Sequence, residues 1–502
     1  MQKTILSSIQ SMCGIFRINL LIPGICAVAL LLTGCGANNN FTFTTSPGAC
    51  PNGMTNAPYC ISVTITNNGN GQNFINSTTA PISNLVVDVS GASNIQTPTN
   101  STSTIDPNGC TTKTLNPGSS CTFFLKISSE AYSTTTTETI SINMTYTIKN
   151  TLFGAGSSYS NSFTIYQVTN LYIMQGNGNL IIANAAQVNS LIAESTDTTN
   201  NTAVDTNSFG FLYVGGNNGV YQYGNSLTAP SIGTGGSSNL FTLSTNLYIA
   251  GNSPTPAVAI YSLAGESLSS SAYLINSTLT PNANSVSPDG TEFYLANSNQ
   301  VISCPIGGAN PACVPEGVNL PGVQTLAATN VDVPPFTGLY AGTNGTSSIL
   351  GSGLFAESGT SGTPTAQWIQ VTQNTGGIIG SILSSTVNNG NLYAGDISGN
   401  IWFISNASTT PLVATQFLNG TAVNGGGITN MVIDSVASIL YFIVRLPSTT
   451  TPGAFTYTLY ACSTTSTSCT PSVASGIPPM TNSVVGLNIG SQLVSSLTSQ
   501  PN

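Results

Sequence analysis

Three observations predict an all-β chain in two parts, a β-sandwich followed by a β-propeller of about seven blades closed by a C-terminal strand. Charged residues make up only 4% of the 502 and hydrophobic ones 40%, so Ser, Thr, Asn and Gly must cover the surface. Those residues compete for backbone hydrogen bonds inside helices, and no long stretch carries an amphipathic Ala/Leu/Glu/Lys pattern. Between about Tyr59 and Val168, runs such as ISVTI and TFFLKI place apolar side chains at every second position, as half-buried strands do. From Asn170 onward one tyrosine phrase keeps returning. A chain of this length needs more than one core.

The first element is an export leader, residues 1–34. Lys3 and Arg17 precede the apolar run NLLIPGICAVALLLTG, which ends at Leu32-Thr33-Gly34-Cys35. A charged start, a short apolar stretch and small residues before a cleavage point define such a leader. The stretch is shorter than a typical membrane span and holds Pro23 and Gly24, which argues against an uncleaved anchor helix. LTGC resembles the lipobox of bacterial lipoproteins, whose cysteine is diacylated before cleavage. The resemblance implies lipid attachment at Cys35 and membrane association through that lipid. Gly36 in place of Asp implies sorting to the outer membrane of a Gram-negative bacterium, on its periplasmic face or the cell surface. Residues 35–48, with the run GANNNFTFTTSPG, read as a flexible tether.

Eleven cysteines are present, and removal of Cys13 and Cys26 with the leader and of Cys35 to the lipid leaves eight. They form four close pairs: Cys50/Cys60, Cys110/Cys121, Cys304/Cys313 and Cys462/Cys469. Sequence does not fix connectivity, but near-neighbour disulfides are the simplest choice in an oxidising compartment. Closing loops this short stabilises by roughly 2 to 3 kcal/mol each in the chain-entropy model. Zinc sites favour C-x₂₋₄-C, shorter than these spacings, so no metal is expected.

Residues 49–168 form the sandwich, with about 110 residues of short strands and turns from about Tyr59 to Val168. The segment CTTKTLNPGSSCTFFLKIS resembles the C-x-x-x-x-L-x-P-G-x-S-C signature of bacterial Ig-like domains of the abnormal-spindle/hydin type, also called choice-of-anchor domains. In that family a turn at Pro117-Gly118 joins two strands that Cys110 and Cys121 can staple, and TNNGNGQN fits an early turn. The resemblance implies a spacer or binding module without catalytic residues.

Residues 169–502 form the propeller. The phrases NLYIMQGNG, FLYVGGNNG, NLYIAGNS, EFYLANSN, GLYAGTNG, NLYAGDISG and ILYFIV carry Tyr172, Tyr213, Tyr248, Tyr294, Tyr340, Tyr393 and Tyr441, about 45 residues apart. A period of this size on short strands signals one four-stranded blade per repeat. VSPDGTEFYLAN resembles the S-P-D-G phrase of YVTN/WD40-like propellers. The first repeat lacks room for an innermost strand, and NSVVGLNIGSQLVSS near the C-terminus supplies one that completes the ring and removes an exposed edge. Cys304/Cys313 and Cys462/Cys469 would then staple outer hairpins.

Composition excludes several functions. Four basic residues, Lys113, Lys126, Lys149 and Arg445, face 15 acidic ones after the leader, a net charge of −11. No Lys/Arg stripe exists for phosphate neutralisation, so no nucleic acid partner is expected and an anionic membrane surface is disfavoured. Histidine is absent, which removes imidazole bases, Ser-His-Asp and Cys-His nucleophiles and His-ligated metals. Asp289, Glu292 and Asp396 are candidate acids beside tyrosine strands, but Asp289 and Asp396 fall where hairpins turn and Asp is favoured for local hydrogen bonding. Calcium finds no D-x-D-x-D-G loop. Arg445 is expected to pair with an acid. Trp368 and Trp402 are expected to pack between blades. The chain thus reads as a non-enzymatic, cofactor-free, lipid-anchored envelope protein whose propeller binds a protein or glycan. The alternatives are a periplasmic scaffold for outer-membrane assembly, or a carboxylate-dependent hydrolase or lyase of the propeller type.

Overall fold

A computed structural model describes residues 313–330, 333–345, 351–360, 363, 365–406, 411–474 and 476–497, and of residues 41–306 chiefly the strands. For most strands between 187 and 284 it describes the backbone alone. Cys35, Cys50 and Asp289 lie outside the described residues.

The first part holds β1 (Phe41–Ala49), β2 (Tyr59–Asn67), β3 (Ile82–Ser90), β4 (Ile95–Gln96), β5 (Ser120–Ile127) and β6 (Glu138–Ile148). They make two sheets, one ordered β1-β2-β5-β4, the other starting β3-β6 and continuing into β7 (Gly156–Gln175). The alternation in the sequence becomes alternation in burial: Ile61, Val63 and Ile65 of β2 and Phe123 and Leu125 of β5 are buried, with half-buried Ser62 and Thr64, and Phe124, between them. Strand β1 corrects one expectation, because it begins inside the segment read as a tether. Phe41 and Phe43 are buried while Thr42 and Thr44 are exposed, so that segment has an apolar face to cover. The Phe41 ring meets Tyr146 of β6 edge-on at 5.2 Å, joining the two sheets. The Cys110–Cys121 disulfide ties the loop before β5 to β5 itself. The expected Cys50/Cys60 disulfide falls outside the described residues. Cys60 is placed by its backbone alone, on β2 opposite Gly48 of β1 and Lys126 of β5, while Cys50 is not described. Of the four expected cysteine pairs, three are therefore found as disulfides among the described residues.

Successive antiparallel sheets follow, giving a propeller-like architecture. The first adds β8 (Asn179–Asn184) and β9 (Gln187–Ser195) to β7. Next come β10 (Asn201–Thr206), β11 (Leu212–Gly216), β12 (Gly219–Tyr223) and β13 (Leu227–Thr228), then β14 (Ser237–Leu243), β15 (Asn246–Gly251), β16 (Ala257–Ser262) and β17 (Ser271–Leu274). A further sheet contains β18 (Ala283–Val286), β19 (Glu292–Ala296), β20 (Val301–Pro305) and β21 (Val314–Glu316). Its neighbour contains β22 (Val323–Ala328), β23 (Phe336–Thr343), β24 (Gly353–Ser358) and β25 (Gln367–Gln370). Then β26 (Thr372–Gln373) joins the sheet of β27 (Ile382–Asn388), β28 (Asn391–Asp396), β29 (Ile401–Ile404) and β30 (Val413–Leu418). Last are β31 (Gly427–Asp434), β32 (Ile439–Pro447), β33 (Phe455–Ser463) and β34 (Ser472–Val473), followed by β35 (Val484–Leu497).

Every tyrosine of the repeated phrase lies on a corresponding strand: Tyr172 on β7, Tyr213 on β11, Tyr248 on β15, Tyr294 on β19, Tyr340 on β23, Tyr393 on β28 and Tyr441 on β32. The Y-A-G version explains itself sterically. A Cβ at Gly342 would run into Ile382 and Thr325, and one at Gly395 would come within 2.6 Å of Ile428 Cβ. Only glycine lets these strands pass so close to the first strand of the next sheet. Between sheets lie apolar seams; Tyr294, Val301, Phe355 and Trp368 share one, and Tyr340, Ile382 and Trp402 another. The two tryptophans therefore pack between sheets. Disulfides Cys304–Cys313 and Cys462–Cys469 close the β20–β21 and β33–β34 hairpins.

The leading strands touch in succession, β10 with β14, β14 with β18, β18 with β22, β22 with β27, β27 with β31, β31 with β35, and β35 with β10. These neighbours lie side by side without joining in one closed hydrogen-bonded sheet. Strand β35 is antiparallel to β7, from Val484 opposite Gln175 to Leu497 opposite Phe163. Strand β7 itself crosses the expected domain boundary at 168/169 without a break. Its first half pairs with β6 and its second with β8.

Candidate functional site

Two places bring polar groups together. The first is a cavity of about 350 Å³ lined by Ser285, Ala327, Asn330, Thr386 and Gly390, where β18, β22 and the hairpin after β27 meet. Ser285 Oγ accepts the Ala328 amide at 2.9 Å, and nearby Thr325 Oγ1 and Ser385 Oγ lie 2.6 Å apart. The lining is neutral: Leu326, Ala327, Ala328 and Val387 make its larger, apolar part, and Ser285, Asn330 and Thr386 add hydroxyl and amide groups, which suits an uncharged ligand with both apolar and polar faces.

The second is a buried acidic cluster in the seam between the β18–β21 and β22–β25 sheets. Glu357 on β24 and Glu316 at the end of β21 are both 0% exposed. Thr337 Oγ1 donates to Glu357 Oε2 at 2.7 Å, whereas Glu357 Oε1 has no hydrogen-bond partner. Part-buried Glu292 adds a third carboxylate, which accepts from Tyr294 Oη at 3.1 Å. Burial pushes the Glu357 carboxyl up to about 8, reinforced by Glu316 and by the charge of Glu292 and opposed by the Thr337 bond. Trp368 stands directly opposite Glu357 on β25, and its indole Nε1 is likewise buried without a partner. The cluster is closed to solvent at its centre, and no group of three acids with metal-holding geometry occurs among the described residues.

Of the acids read from sequence that the structure describes, Glu292 joins this cluster and Asp396 does not. Asp396 accepts the Ser398 and Asn400 amides on Oδ1 and the Asn400 Nδ2 and Trp402 Nε1 groups on Oδ2, at 2.8 to 2.9 Å. All of its bonds hold the β28–β29 hairpin, the role Asp favours in turns. Asp434 does the same after β31, accepting the Val436 and Ala437 amides. Arg445 departs from expectation: its guanidinium sits 4.8 Å above the Phe455 ring on the neighbouring strand, in cation–π contact rather than paired with an acid. Glu316 and Glu357 escaped the sequence reading. Their one signal is a glutamate one or two residues before a glycine in apolar phrases, VPEG and LFAESG, in a stretch without a nearby base.

No protein-family model and no curated protein matches the chain. Among solved structures it is similar to a candidate 6-phosphogluconolactonase from Bacteroides uniformis, at 11% identity and a TM-score of 0.43 over 64% of this chain and 99% of that one. One from Bacteroides fragilis matches at 12% identity and 0.43 over 64% and 98%. The Dos1 propeller matches at 12% identity and 0.38 over 61% and 86%. Likeness at this level carries no activity across. It does correct the expectation of a non-enzyme, since candidate enzymes stand among the neighbours and the architecture gives no ground for excluding catalysis.

Proposed function

We propose that this chain is a lipid-anchored protein of the cell envelope, tethered through Cys35 in the outer membrane, that presents a propeller surface for binding a protein or glycan. In this reading residues 49–168, with β1 added, are an Ig-like sandwich that holds the propeller from the membrane. The propeller has seven blades, the first built from β35, β7, β8 and β9. The cyclic order of contacts among the leading strands supports ring closure, and the leader with its LTGC phrase supports the anchor.

The observation that carries the binding role is the neutral cavity where leading strands of three successive sheets converge. Its hydroxyl and amide groups offer donors and acceptors without charge, the chemistry of sugar hydroxyls or of a peptide loop. The test is affinity capture from envelopes and on a glycan array, using the full-length chain and Asn330→Trp, which fills the cavity from an exposed position. Wild type should retain a ligand that the variant loses at least tenfold. Equal binding by both would sink the assignment of this cavity. Metabolic labelling with an alkynyl fatty acid should mark wild type and not Cys35→Ala.

A further inference from the structure

We propose that Arg445, with Phe455 and Tyr457, forms a second binding site, for a peptide segment that carries one carboxylate beside apolar side chains. It lies at the opposite end of the leading strands from the neutral cavity. Gly427, the first residue of β31, is the register partner of Arg445, and a Cβ there would stand 3.4 Å from Ile397 Cα. The Ile397 amide in turn donates to the Ser381 carbonyl, just ahead of β27. The site therefore adjoins the starts of β27 and β31, whereas Thr386, Val387 and Gly390 place the cavity at the finish of β27.

The cation is the observation that points to a ligand. After Lys149 the sequence holds one basic residue, Arg445, in a chain whose net charge after the leader is −11. Among the described residues its guanidinium forms no ion pair and no hydrogen bond, and its specific partner is the Phe455 ring, 4.8 Å away. Stacking on a ring occupies the flat face of a guanidinium and leaves free the N–H edges, the fork that grips a carboxylate with two parallel bonds. Tyr457 adds a donor. It stands directly opposite Arg445 on β33, so the two side chains share one face of the sheet. Its hydroxyl has no hydrogen-bond partner among the described residues.

The surroundings decide the class of ligand. Phe455 is 41% exposed, and Val485, near the start of β35 across the seam, is 37% exposed. Tyr457, Met480 and Val484 pack in one apolar cluster, which continues these exposed groups inward. The β32–β33 loop that sets the ring is itself held: Ser448 Oγ accepts the Thr450 and Thr451 amides, and the Ser448 amide donates to the Ala454 carbonyl at 2.9 Å. A fixed arginine among aromatic and aliphatic groups has the make-up of a protein-binding hot spot. A sugar would stack on an open ring face, and the guanidinium already covers one face of Phe455. Polyanions and phosphate dianions meet the repulsion of the chain's own negative charge, so a single carboxylate suits this cation.

The test is an array of acetylated, amidated peptides with a central Asp or Glu flanked by Leu, Val or Phe, beside replicas with Asn or Gln at the centre. It is probed with the full-length chain as wild type, Arg445→Gln, Arg445→Lys, Tyr457→Phe and Asn330→Trp. Wild type should bind the acidic peptides at least about tenfold more tightly than their amide replicas. Arg445→Gln should abolish that preference, and Arg445→Lys, which keeps the charge without the planar fork, should restore only part of it. Tyr457→Phe should weaken acidic peptides by about three- to tenfold, the share of one hydrogen bond. Asn330→Trp, altered at the opposite end, should match wild type, so failure of the cavity and failure of this site are told apart. Circular dichroism melts identify a variant that does not fold; Tyr457→Phe deletes a single oxygen and decides the matter if Arg445→Gln is lost. Equal binding of acidic and amide peptides by wild type, or an unchanged preference in Arg445→Gln, would overturn the site. So would tighter binding of glucuronate-bearing glycans than of these peptides, lost in Arg445→Gln, which would give the arginine to an acidic sugar.

Discussion

Asp396→Asn separates a turn-holding role for this buried acid from a chemical one. The substitution keeps shape and Oδ1, so the bonds from the Ser398 and Asn400 amides survive. It replaces Oδ2 by an NH₂ group that points at two donors, Asn400 Nδ2 at 2.8 Å and Trp402 Nε1 at 2.9 Å. The Asn400 amide is part-buried and can turn to water, which softens its loss. Trp402 is 4% exposed and its indole hydrogen is left stranded. A stranded buried donor costs about 1 to 3 kcal/mol, and bonds to a charged acceptor contribute about 1.5 to 3 kcal/mol. The net loss is therefore about 3 kcal/mol. In a protein of this size that lowers Tm by about 6 °C, at roughly 2 °C per kcal/mol. Differential scanning calorimetry, with Trp402 fluorescence as a local probe, measures it. A shift below about 1 °C would refute the hydrogen-bond account and return Asp396 to the list of chemical candidates.

Two further outcomes test the packing. Gly395→Ala brings a methyl to within 2.6 Å of Ile428 Cβ and should destabilise by about 1 to 3 kcal/mol, while Gly380→Ala, with nothing within 4 Å, should be silent in the same urea titration. Burial, helped by the charge of Asp434, pushes Tyr441 up to about 12, and burial also raises Tyr340. Because both folded values exceed the free one, stability held below about pH 10 should fall as pH climbs toward 12, with these hydroxyls still protonated at pH 11 by ultraviolet titration; complete tyrosine ionisation in a native-like chain at that pH would contradict the burial.

Periodic features were legible and singular ones were not. The tyrosine phrases located the β7, β11, β15, β19, β23, β28 and β32 strands because a repeated seam imposes the same apolar triplet each time. The C-terminal run read as a strand from composition, and its partner β7 followed from the missing place in the first repeat. Three near-neighbour cysteine pairs followed from short Pro/Gly/Ser loops, and the fourth, Cys50 with Cys60, reaches outside the described residues. The segment at Phe41 misled because Asn and Thr around it resemble a linker, and two phenylalanines at alternate positions are a small signal until Tyr146 supplies their cover. Arg445 misled because its neighbour is fixed by strand register, which placed Tyr457 opposite and Phe455 within reach. Glu316 and Glu357 were invisible as a pair, since 41 residues separate them and only sheet-to-sheet packing brings them together.

Strand β7 has a mechanical consequence. One uninterrupted backbone of 20 residues serves both parts of the molecule, and β35 runs along it across the junction from Gln175 to Phe163. A pull between the amino-terminal strands and the propeller-like sheets is borne along the length of those ladders, in shear, where many bonds resist together instead of yielding one after another. The propeller-like sheets are thereby joined to the amino-terminal ones through continuous strand ladders, and a load between them is spread over many backbone bonds at once.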